Sequence, residues 1–117
     1  MKKEEFLLRT KRFGLRVIRL VTALSKNPVT TVLGKQLLRA GTAVGANYRA
    51  AARAKSRADF ICKMGNVEEE CDESLYWMEM LIESGSLKPR LAEPLMKEGD
   101  EILSIVVASI KTARRNR

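Results

Sequence analysis

Eight cations fall into two helical sets: Arg9, Arg12, Arg16 and Arg19, at offsets of three, four and three, and Lys35, Arg39, Arg49 and Arg53, which continue through Thr42 and Ala46 at offsets of four and three. Residues three and four apart share one face of an α-helix, so each set forms a stripe. Guanidinium and ammonium groups spaced in this way can neutralise successive phosphates and hydrogen-bond to them. The chemistry on offer is binding of RNA or DNA. It would depend strongly on salt and little on sequence, because no base-reading motif accompanies the stripes. The competing use is internal, in a structural or protein-interaction scaffold whose arginines pair with acids such as Glu70 and Glu73.

Covalent and acid–base chemistry is poorly supplied. The 117 residues contain no histidine, which removes the usual general base, Ser-His or Cys-His activation, and imidazole ligation of a metal. Gly34-Lys35 lacks the preceding glycine and following Ser/Thr of a phosphate-binding loop, and there is no GxGxxG. Glu68, Glu69, Glu70, Asp72 and Glu73 form an acidic run, but the Glu-x-x-His set of diiron bundles cannot be made from it. No catalytic residue, metal or cofactor is assigned, and the protein is read as a non-enzyme. If Cys62 and Cys71 share a helix they lie about 13 Å apart along its axis and on opposite sides. The expectation is two buried free thiols in a reducing, cytoplasmic setting.

Charge is unevenly distributed along the chain. Residues 1–57 carry 14 Lys/Arg against 2 Asp/Glu, whereas residues 58–100 carry 4 against 11. The acidic part can neutralise some of the basic part within a subunit or between subunits, leaving the remainder for an anionic partner. No segment approaches the roughly 20 apolar residues of a membrane span, and charges interrupt the N-terminus where a signal peptide would need an apolar stretch.

The elements that must carry the stripes are helices. Phe6, Phe13, Val17, Leu20, Val21 and Leu24 predict a first helix over about 4–25, ended by Asn27-Pro28. Leu37, Ala40, Val44, Tyr48 and Ala51 predict a second over about 30–55, capped by Thr30 or Thr31. Its Gly41 and Gly45 cost together about 2 kcal/mol against alanine, which is sensible only where another helix approaches closely. A third helix, about 57–84, has Ser56 as its cap, Phe60, Met64, Val67, Cys71, Leu75, Met78 and Leu81 on its apolar face, and Gly85 as its terminator. Trp77 fills the bundle or an interface. A fourth helix, about 92–114, places Pro94 in its first turn and ends in the basic segment Lys111 to Arg117. Four such helices joined by short connections make one all-α domain, an antiparallel up-down-up-down four-helix bundle. Ile102, Leu103, Ile105, Val106, Val107 and Ile110 cover more of helix 4 than one core needs, and self-association through that face is expected.

The segments RTKRFGLRVIRL, VLGKQLLRAGTAVGANYRAAARAKSRADFICK and VEEECDESLYWMEMLIESG resemble the four-helix bundle family of 23S rRNA intervening-sequence proteins, in character, order and separation. The resemblance covers nearly everything from Arg9 to Arg114. It implies a bacterial homo-oligomer, a pentameric barrel, with no catalytic residues to carry over. More distant relatives of similar architecture are accessory proteins of diversity-generating retroelements. These bind nucleic acid and a reverse transcriptase, which makes such an enzyme a further partner class suggested by the resemblance.

Overall fold

In the computed structural model, which describes residues 1–116, four helices run in chain order: α1 Lys3–Thr22, α2 Pro28–Ala52, α3 Arg57–Glu83 and α4 Pro89–Arg115. Arg117, the last residue of the basic tail, lies outside the described residues. The helices pack as an antiparallel bundle 49 × 21 × 20 Å, with α1 beside α2 and α4, α3 beside α2 and α4, and α1 diagonal to α3. No helix among the described residues is long and apolar enough to cross a membrane.

Local chemistry sets the boundaries. Asn27-Pro28 opens α2 as well as closing the first connection. The Asn27 side chain accepts from the backbone N–H of Val29 (2.9 Å) and Thr30 (3.0 Å), while Thr30 Oγ1 accepts from the Asn27 N–H (3.1 Å), a reciprocal capping box. Thr30 Oγ1 also donates to the Ser25 carbonyl at 2.6 Å, which ties down the connection, and α1 stops at Thr22 instead of reaching residue 25. Ser56 caps α3 by accepting from the Asp59 N–H. Gly85 ends the turn after α3 at φ +79°, a left-handed conformation that only glycine adopts without cost. Helix α4 begins at Pro89, earlier than its periodicity suggests, so Pro94 lies inside it and the Arg90 carbonyl lacks its usual N–H donor four residues on.

The α1–α2 contact explains the glycines of α2. A Cβ at Gly41 would sit 2.7 Å from Val17 Cγ2, and one at Gly45 would sit 3.2 Å from the Thr10 carbonyl oxygen. Thr10 is buried there because its hydroxyl is satisfied within α1, donating to the Phe6 and Leu7 carbonyls. The core runs from Phe6 and Tyr48, whose rings meet edge to face at 4.6 Å, through Phe13, Val17, Leu37, Val44, Met64, Val67 and Met78 to Leu81 and Leu95.

The expectation of two buried thiols is corrected: Cys71 is buried, but Cys62 is exposed on the outer side of α3. Of the apolar arc of α4, Ile102, Val106 and Ile110 are buried, Leu103 and Ile105 pack against the core, and Val107 is half-buried. The large exposed apolar side chains lie mainly on other helices, among them Leu8, Leu15 and Ile18 of α1 and Tyr76 and Met80 of α3.

Candidate anion-binding site

The eight stripe cations divide into two groups. Arg9 of α1 forms a two-pronged pair with Glu98 of α4, Nε to Oε2 and Nη2 to Oε1, both at 2.7 Å, and Nη2 also reaches Glu101 at 3.2 Å. Hydrogen bonding and charge from Arg9 hold the Glu98 carboxyl below its ordinary pKa, with Arg16 adding to the attraction. Arg39 of α2 donates from Nη1 to Glu70 (3.0 Å) and from Nη2 to Glu73 (2.8 Å) of α3. The Arg39 side chain is 50% exposed, so this pair aligns two helices and adds little stability. The pairing of Glu70 and Glu73 with an arginine of helix 1 or 2 is therefore present, through Arg39.

Arg12, Arg16, Arg19, Lys35, Arg49 and Arg53 form no ion pair among the described residues. They do not make one continuous surface. Arg49 and Arg53 line a groove between α1 and α2. Arg12 lies along the α1–α4 seam with Arg9, Arg16 and Glu98. Arg16 and Arg19 line a cleft of about 670 Å³ where the C-terminal third of α1 meets the start of α4, floored by Leu20, Leu24, Leu87 and Leu95. Lys35 lines none of these three clefts.

That end cleft brings in Lys88 and Arg90, which lie between the third and fourth predicted helices and outside both basic stripes. The overlooked signal was Pro89, a residue well suited to the first position of a helix, which puts both cations at the N-terminal end of α4. A helix N-terminus carries partial positive charge and favours acids, yet the first turn of α4 has none and Lys88 provides no side-chain cap. No carboxylate lines the cleft. Four cations and a positive helix end therefore line one apolar-floored cleft, a surface suited to an anion.

Other conspicuous residues have structural roles. The Cys71 thiol donates to the Gly99 carbonyl at 3.3 Å, and burial pushes its pKa up to about 12, so it is a neutral core group at physiological pH. Gly99 keeps the same layer tight: a Cβ there would lie 2.9 Å from Leu75 Cδ2 and 3.3 Å from Phe13 Cε1. Trp77 packs partly buried against the core, with its ring 5.0 Å from that of Tyr76.

Comparison with known proteins agrees with this architecture. No curated protein matches the chain. A crystal structure of a protein of unknown function from the S23 ribosomal protein family of Bacteroides thetaiotaomicron is similar, with 34% identity, a TM-score of 0.87, and coverage of 95% of this chain and 99% of that one. The family described as 23S rRNA-intervening sequence protein matches residues 2–108. With a match over that span and the same bundle, the chain belongs to the 23S rRNA-intervening sequence protein family.

Proposed function

We propose that this protein is a non-enzymatic, homo-oligomeric bundle that binds RNA or DNA through cationic surfaces, with little sequence preference. The observation that carries the reading is the α1–α4 end cleft, where Arg16, Arg19, Lys88 and Arg90 converge with no carboxylate in the lining. A phosphate backbone would neutralise that concentration of positive charge and release counterions. Arg12 and Lys35 add long-range attraction, and Arg49 and Arg53 do so in a copy whose α1–α2 groove is open. Arg9 and Arg39 are already engaged by acids and contribute less. The homo-oligomer, with pentamer as its closed form, is supported by the family resemblance and by the exposed apolar residues of α1 and α3. A nucleic-acid enzyme such as a reverse transcriptase is a partner suggested by resemblance alone, and a cytoplasmic location is likewise an inference.

The test is titration against structured RNA, single strands and duplex DNA at several salt concentrations. The expected result is binding whose logarithm falls linearly with the logarithm of salt, with similar slopes across sequences. Absence of salt-sensitive binding to all three would leave the scaffold reading. Arg9 and Arg39, each joined to two carboxylates across a helix pair, are the observation that favours it.

A further inference from the structure

We propose that copies of this chain associate head to tail, with the α1–α2 groove of one copy receiving the outer stripe of α3 from the next. The proposal rests on the homo-oligomer reading above and adds the two faces and their polarity. It also moves the contact away from α4, where the sequence pattern alone would place it.

The groove has the form of a receiving surface. It measures about 640 Å³ and is floored by the small residues Gly14, Thr42, Gly45 and Ala46. Leu8, Leu15 and Ile18 stand along it 46%, 43% and 39% exposed. Apolar groups gathered on one face of a small protein mark an interaction surface, whereas single ones scattered over it do not. The groove's charges are Lys3, Lys11, Arg49 and Arg53 against Glu4 alone, and none of these cations is in an ion pair among the described residues.

The outer face of α3 is its counterpart. Glu69, Asp72, Tyr76, Met80 and Glu83 follow offsets of three, four, four and three, which places them on one stripe of the helix. Tyr76 is 50% and Met80 38% exposed, so the stripe has an apolar centre with acids on either side of it along the helix. Those three acids likewise form no ion pair among the described residues. Apolar groups with unpaired cations on one face thus match apolar groups with unpaired acids on another. The uneven charge of the two parts of the sequence acquires a use between subunits.

Because α1 and α3 are diagonal in the bundle, the two faces point to different sides and one copy cannot satisfy both with a single partner in a two-fold arrangement. Each copy offers one groove and one stripe, so assembly is heterologous and closes as a ring when the rotation permits. The end cleft with Lys88 and Arg90 belongs to neither face and stays open to an anion.

Two charge-reversed full-length proteins test the pairing in nucleic-acid-free buffer: Arg49→Glu with Arg53→Glu, and Asp72→Arg with Glu83→Arg. All four positions are exposed, and circular dichroism verifies the fold of each variant. By sedimentation velocity at micromolar concentration the wild type is expected to be an oligomer and each variant alone a monomer, with self-association weakened at least tenfold. Mixing the variants recreates opposite charges wherever unlike copies meet and restores association, although an odd-numbered ring such as a pentamer keeps one like-charged contact. Leu15→Ser, which leaves all charges in place, should also dissociate it. A monomeric wild type would overturn both the oligomer and this pairing. An oligomer indifferent to both reversals and to Leu15→Ser would overturn the pairing alone.

Discussion

Arg9 and Arg19 belong to the same stripe of α1, yet their surroundings differ in kind. At Arg9, α4 presents Glu98 and Glu101, and the guanidinium is clamped by two carboxylates. Three turns further along, α4 is at its beginning and presents Lys88 and Arg90, with no acid lining the space between. One stripe therefore does two jobs: its first arginine joins two helices, and its last helps to build an electropositive cleft. Helical spacing collects like charges on a face, but the partner helix decides whether that face is neutralised.

Reversing charges at the open end should give the largest effect. For Arg19→Glu combined with Arg90→Glu, affinity for RNA or DNA is expected to fall by about 100-fold or more at low salt, and the slope of log affinity against log salt to become shallower by about 2, as two phosphate contacts are lost. Removing the clamped cation instead, as Arg9→Gln, should change affinity only a few-fold and leave the slope nearly unaltered. Equal losses in the two variants, measured by fluorescence anisotropy, would remove the distinction between the two ends of the stripe.

The second test concerns the seam that holds these ends in register. Gly99 adjoins Glu98 in α4, and its missing side chain leaves room for Phe13 of α1 and Leu75 of α3. Gly99→Val should force both aside and destabilise the protein by about 1–3 kcal/mol, the usual range for overpacking, despite the better helix propensity of valine. Gly65 offers the control, because a Cβ there meets nothing within 4 Å. Gly65→Ala should be neutral or stabilising by up to about 1 kcal/mol in chemical denaturation.

The contrast between these glycines was not visible in the sequence, although the bundle was. Leu37, Ala40, Val44, Tyr48 and Ala51 are buried as their periodicity requires, and Ser56 and Gly85 mark boundaries through chemistry that acts within a few residues. Gly41 and Gly45 were legible because two glycines in a long helix demand a close neighbour, and α1 supplies it. Interhelical registration was harder to read. Arg9 and Glu98 are 89 residues apart, and no local pattern fixes which turn of α4 meets α1. The same gap hid the convergence of Lys88 and Arg90 with Arg16 and Arg19. The width of the apolar arc on α4 likewise could not show that Leu103 and Ile105 turn inward against the core.

The smallest expected effect isolates the clamped end and carries a pH signature. Glu98 has its pKa lowered mainly by hydrogen bonding to Arg9, so the folded protein binds its proton less readily than the unfolded chain does. Its contribution to stability is fully present above the unfolded carboxylate value, near 4.3 for glutamate, and is lost as pH falls through the lower folded value. Glu98→Gln keeps the shape but removes the charge, and should cost about 1 kcal/mol at neutral pH for this partly exposed pair. The cost should shrink as the wild-type carboxyl itself protonates, so urea midpoints of the two proteins converge towards acid. Glu93→Gln, at an exposed acid of the same helix that forms no ion pair among the described residues, should give a much smaller difference over the same range. Parallel rather than converging curves for Glu98→Gln would mean that the Arg9 clamp acts through packing of the side chain and not through its charge.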